Sequence, residues 1–134
     1  ALCAGFGAAA ALCENLRESD GNHVEKLWTL ARSLFSGWTL NGSATQRWRG
    51  NMNVRLDGLD VARLLSECRT VAFSAGSACA SGSGRPSHVL RALQLSDRNS
   101  KTAIRLGFGR YTREDDLVEA AAAIHAAAKR QGVL

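Results

Sequence analysis

The stretch Thr70-Val-Ala-Phe-Ser-Ala-Gly-Ser-Ala-Cys-Ala-Ser-Gly-Ser-Gly84, with Pro86 just beyond it, decides how this chain is read. Thr70 to Phe73 is a short β-type run. From Ser74 to Gly84 no side chain is larger than a thiol, and Cys79 stands near the centre. Residues this small bury little and leave the backbone free. Residues 74–84 therefore read as a loop, and 75–84 are expected to be the least ordered internal segment. Pro86 suits the first turn of a helix, with Val89, Leu90 and Leu93 on its apolar face. The unit is a strand, a small-residue loop with one thiol, and a helix. A core cysteine needs no such tether; a thiol that attacks and hands something on does. The other reading is an inert cysteine, since no adjacent His or Lys pulls the thiol below its ordinary pKa of about 8.5.

Downstream, Lys101-Thr-Ala-Ile-Arg-Leu-Gly-Phe-Gly109 is the clearest strand. Ile104, Leu106 and Phe108 fall on one face; Ala103, Arg105 and Gly107 fall on the other. Ala103 and Gly107 leave room beside the Arg105 guanidinium. A carboxylate or phosphate clamp needs that combination of a bidentate fork and empty space. A structural salt bridge to a helix acid explains the same pattern. The last helix starts at Thr112 with Glu114, Asp115 and Asp116, acids that suit a helix N-terminus. Leu117, Ala120, Ala121, Ile124 and Ala128 are its stripe, and Lys129, Arg130 and Gly132 close it. His125 lies off the stripe centre with no visible partner.

Upstream, Leu2, Phe6, Ala9, Cys13 and Leu16 recur at helical steps. Gly5 and Gly7 each cost about 1 kcal/mol inside a helix, which points to close packing on another body. Gly5-Phe-Gly-Ala-Ala-Ala10 matches a dinucleotide fingerprint, but no strand precedes it, so it is set aside. Asp20-Gly-Asn22 predicts a break, with Asn22 capping a second helix over Val24, Leu27, Trp28, Ala31, Leu34 and Phe35. Trp38 to Asn41 reads as a strand ending in an Asn41-Gly42 turn. Met52, Val54 and Leu56 alternate with polar residues as a half-buried strand. Asp57-Gly58 opens a helix with Val61, Leu64, Leu65 and Cys68 on one face. His23 and His88 are expected at the surface. The order α, α, β, β, α, β, loop, α, β, α predicts an α/β fold, two-layer, with a short sheet packed with helices.

The 134 residues suffice for one domain with a modest core, and 46% apolar and 22% charged content is ordinary for a globular protein. The net charge of +5 is dispersed, which argues against nucleic acid. No apolar run approaches the ~18 residues of a membrane span. The cysteines at 3, 13, 68 and 79 show no C-x-x-C pair, which argues against a zinc or redox motif and suits a reducing compartment. A first residue other than Met points to a fragment or a processed piece.

Ser74-Ala-Gly-Ser-Ala-Cys-Ala-Ser81, Arg85-Pro-Ser-His-Val-Leu-Arg-Ala-Leu93 and Ile104-Arg-Leu-Gly-Phe-Gly-Arg-Tyr-Thr112, in that order, resemble the C-terminal part of the cysteine desulfurases. These are class V aminotransferase-type, pyridoxal-phosphate (PLP) enzymes, and the long loop resembles the subgroup with a mobile catalytic cysteine. The likeness is strong from Phe73 onward and looser over Asn51–Val54 and Gly58–Leu65. It implies the small C-terminal domain of a fold-type I PLP enzyme. On this view residues 1–18 lead from a missing large PLP domain, and 19–134 form the small domain carrying the catalytic loop 74–84. It implies that Cys79 takes sulfur from L-cysteine as a persulfide, leaving L-alanine, and that Arg105 grips the substrate carboxylate. The sulfur would pass to an iron–sulfur scaffold or another acceptor. A cytoplasmic homodimer is implied, with no nucleic acid, membrane or metal. The family's PLP lysine, stacking histidine and ring-nitrogen aspartate lie in the large domain, so PLP would be bound outside this chain. Ala80 and Arg85 stand where the family often has hydroxyl and acidic residues, and a longer scaffold-docking tail is absent. The competing expectation is a stand-alone thiol carrier or interaction module without PLP chemistry.

Overall fold

Helix α1 runs unbroken from Leu2 to Leu34 in the computed structural model, which describes residues 1–76 and 87–134. The expected break at Asp20-Gly-Asn22 does not occur. Asp20, and His23 and Glu25 just after the run, instead meet distant loops. Asp20 accepts two bonds from Arg110 Nε at 2.9 Å, and the His23 ring contacts the Thr112 carbonyl oxygen at 2.8 Å. Glu25 pairs with Arg49. His23 is thus half-buried and bonded, not a free surface residue. Arg110 holds the Asp20 carboxyl below the usual carboxylate range. These three ties replace an N-cap as the use for the polar run, and the helix continues through them.

The rest of α1 behaves as two different surfaces. Val24, Leu27, Trp28 and Ala31 are buried at steps of three and four. Residues 1–15 are all exposed, with Leu2 at 91% and Phe6 at 80%. Nothing lies within 4 Å of a side chain built at Gly5 or Gly7. At 1.5 Å per residue this free half is roughly 20 Å long. The expected stripe is therefore present but uncovered, and Cys13 on it is exposed while Cys68 on its own stripe is buried.

Strand β1 (Thr39–Leu40) pairs with β2 (Asn51–Arg55), β2 with β4 (Ala103–Gly107), and β4 with β3 (Ser74–Ala75). All three pairings are antiparallel. Helices α2 (Val61–Glu67) and α5 (Glu114–Arg130) join α1 on one face of this sheet. Leu27, Met52, Val54, Leu64, Ile104 and Ile124 are each 0% exposed and form the centre of that core. The short helices α3 (His88–Ala92) and α4 (Asp97–Lys101) follow the loop. The two-layer α/β expectation holds, with several local shifts. The strand expected at Thr70–Phe73 forms instead at Ser74–Ala75, inside the stretch read as loop. The start of the Lys101–Gly109 strand is helical, because the Ser96 hydroxyl accepts the Asn99 N–H and caps α4. Arg113, not Thr112, precedes α5; its own N–H is held by Asp116, while the Thr112 hydroxyl accepts from Gly109. Asp60 rather than Asp57-Gly58 caps α2. Ala103 was expected on the open face but is buried, because Gly76 lies against it.

His125 does have partners. Its ring meets Phe35 edge-on with centroids 4.9 Å apart and lies 6.0 Å from Trp38. Burial, and then Lys129, push the imidazole below its ordinary pKa of 6.5. The unfolded chain therefore binds the His125 proton first as pH falls through 6.5. Stability is fully present above that value and declines below it. Melting temperature should drop between pH 7.5 and 5.5, and His125→Phe should flatten that slope. The lowered carboxyls Asp20, Glu67 and Asp116 start from ordinary values of 3.8 to 4.5, so they act only at lower pH. An unchanged slope in His125→Phe would assign the effect elsewhere.

Candidate functional site

Alternation along β4 sends Ile104 and Leu106 into the core and leaves Arg105 exposed on the opposite, polar face. The register places Asn53 of β2 on one side of Arg105 and Ser74 of β3 on the other. Above this face lies a cleft of about 450 Å³, bordered by Asn41, Asn53, Gly76, His88, Leu90 and Arg105. Arg105 forms no salt bridge among the described residues. No carboxylate and no lysine is among the described residues lining the cleft, whereas Arg47, Arg105 and His88 are. Such a cleft favours an anionic ligand.

Its floor is a hydrogen-bonded polar chain. The Arg55 guanidinium donates to Asn41 Oδ1. Asn41 Nδ2 donates to Asn53 Oδ1 at 2.7 Å, and Asn53 Nδ2 donates to the Gly76 carbonyl oxygen at 3.4 Å. Asn41 and Asn53 are only 3% and 9% exposed. The loop between β1 and β2 is held by Arg47, which donates to the Asn41 and Asn51 carbonyls at 3.2 and 2.7 Å and lies over the Trp28 ring. Burial, then the neighbouring Arg32, lowers the Arg47 pKa. Strand alternation had placed Asn53 on a solvated face; only the fold shows that Gly76 and the β1–β2 loop cover it.

Of the expected site residues, Arg105 borders the cleft, and exposed His88 borders it too. Cys79 and the rest of 77–86, including Pro86, lie outside the described residues; of the expected loop, Gly76 lines the cleft. A second groove of about 410 Å³, walled by Leu106, Phe108, Leu117 and Ala120, runs along α5 and does not include Arg105. Among the described residues no cluster of His, Cys, Asp or Glu could hold a metal, and no helix is long and apolar enough to cross a membrane.

A PLP site needs a lysine for the Schiff base. Lys26, Lys101 and Lys129 are all exposed, and none borders the cleft. The residues present therefore do not fit PLP by themselves.

No protein-family model matches the chain. Over 120 residues, 87% of its length, it is 37% identical to "Cysteine desulfurase IscS" of Rickettsia typhi. It is 40% identical over 119 residues to "Cysteine desulfurase, mitochondrial" of Saccharomyces cerevisiae. The chain spans only 29% and 24% of the lengths of these relatives. Its fold is that of a NifS-like protein from Rickettsia africae, with a TM-score of 0.81 at 18% identity, covering 94% of this chain and 34% of that one. A second NifS-like structure gives a TM-score of 0.74 at 15% identity over 89% of this chain and 30% of the other. Cysteine desulfurases are the homologues of this chain, and it is similar to a C-terminal portion of them.

Proposed function

We propose that these 134 residues are the C-terminal domain of a cysteine desulfurase that acts on L-cysteine. The observation that carries this reading is the exposed Arg105, which forms no salt bridge with a described acid, on a cleft with no carboxylate among its described lining residues, in a chain 37% identical to such enzymes. Arg105 holds the substrate carboxylate. The Cys79 thiolate attacks the substrate sulfur; a sulfur–sulfur bond forms as the substrate's carbon–sulfur bond breaks. The bonding pair stays with the carbon fragment, which takes a proton and leaves as L-alanine. Cys79 is left as a persulfide, and its outer sulfur passes to an iron–sulfur scaffold or another acceptor. PLP, the electron sink of this chemistry, is supplied by residues outside this chain. Residues 1–18 lead from that large domain, whose surface covers Leu2 and Phe6. The complete enzyme is a cytoplasmic homodimer.

The longer chain, loaded with PLP, should release alanine from L-cysteine and carry a trappable persulfide on Cys79. Alanine release without that persulfide would defeat the assignment. The 134 residues alone should bind no PLP: mixing the two should give no lysine-dependent absorbance band. A stable band that disappears on mutating Lys26, Lys101 or Lys129 would disprove the division of labour.

A further inference from the structure

Gly76 is the last described residue before the segment that bears Cys79, and it is held on three sides. Its N–H donates to the Ala103 carbonyl at 2.7 Å. Its own carbonyl accepts from Asn53 Nδ2. A Cβ built on it would sit 2.7 Å from Ala103 Cβ and 3.1 Å from the Ala103 carbonyl oxygen, so no side chain fits. The Asn53 amide is itself oriented, because its oxygen is engaged by Asn41, which accepts from Arg55. A strand residue facing a packed surface is more simply filled by an apolar side chain, since burying an amide is favourable only when it is fully bonded. Two nearly buried asparagines in series are therefore an arrangement that fixes geometry.

We propose that Gly76 and Asn53 are positioning residues that fix where the backbone leaves the sheet beside Arg105, and with it the origin from which the Cys79 thiol must reach the substrate. This rests on the desulfurase reading. The same register ties both ends of the reaction to one strand: Ser74, two residues before Gly76, pairs with Arg105 itself. Cys79 stands three positions after Gly76, a span of at most roughly 11 Å. A shift at the anchor thus moves the origin of the thiol's whole reach, while the Arg105 contact to the substrate carboxylate is left in place. Misplacement of a reacting group by about 1 Å lowers rates by about a hundredfold.

The test uses the full desulfurase chain loaded with PLP. Gly76→Ala and Asn53→Ala should weaken L-cysteine binding, read by the cofactor's absorbance change, by a smaller factor than they slow sulfur transfer. Sulfur transfer to Cys79 in a single turnover, read by trapping the persulfide, should fall about ten- to a hundredfold. The double variant Gly76→Ala/Ala103→Gly removes the colliding methyl and should recover most of the loss. Circular dichroism and thermal melting of each variant establish that the domain is folded. If Asn53→Ala unfolds, Gly76→Ala and its rescue carry the test. Unchanged transfer in Gly76→Ala, equal losses of binding and transfer, or no recovery in the double variant would overturn the proposal. Failure of the unmodified protein to form a Cys79 persulfide would instead defeat the desulfurase reading on which it rests.

Discussion

Cys79→Ser in the full enzyme is expected to lower sulfur transfer by about a thousandfold or more while leaving PLP bound. The step needs a nucleophile that is ionised to a useful degree near neutral pH and that tolerates a sulfur–sulfur bond. A thiol is a few per cent thiolate at pH 7 before any activation, whereas a serine hydroxyl is essentially never ionised there. The other cysteines do not substitute. Cys68 is buried, and burial pushes its thiol pKa up, so it is a poor nucleophile. Cys3 and Cys13 sit on the free N-terminal half of α1, and neither borders the Arg105 cleft. The check is mass spectrometry of the trapped persulfide alongside an alanine assay. Persulfide sulfur at wild-type levels in Cys79→Ser would show that another group receives it.

What the sequence revealed and what it hid divide along a physical line. The period-two pattern at Ile104, Leu106 and Phe108 and the helical stripes of α2 and α5 are local signals, and each led to a real buried face. Arg105 was visible because the same alternation isolates it from the core. The signals that failed were local ones overruled by partners far away in sequence. Asp20-Gly-Asn22 looks like a helix break, but Asp20 and His23 are engaged by Arg110 and Thr112, some ninety residues on. The Asn41–Asn53–Gly76 chain is likewise invisible in sequence, where the two asparagines are simply the polar half of an alternation. A different failure is α4: its Ser96-Asp97 start is a readable cap, but the apolar pattern from Ala103 drew the strand over it. For Cys79 the sequence motif remains the whole basis of the assignment.

Arg105→Ala should raise the KM for L-cysteine by about ten- to a hundredfold with a smaller effect on kcat. A charge-assisted hydrogen-bonded pair contributes about 1.5–3 kcal/mol, and an interaction made equally in the bound ground state and transition state appears in KM. Several features of the site favour the upper part of that range. The cleft offers no described carboxylate to compete for the guanidinium. Arg105 forms no salt bridge with a described acid in the free domain, so substrate binding breaks none. Its cross-strand neighbours Asn53 and Ser74 are neutral and leave the positive charge unopposed. Arg105→Lys should recover part of the loss, because lysine keeps the charge but not the planar fork that meets both carboxylate oxygens. The decisive comparison is between L-cysteine and cysteamine, which carries the same thiol and amine without a carboxylate. The wild type should prefer L-cysteine strongly, and Arg105→Ala should narrow that preference by the factor lost in KM. A preference that survives the substitution intact would place the carboxylate contact on another residue and return Arg105 to a purely structural role on β4.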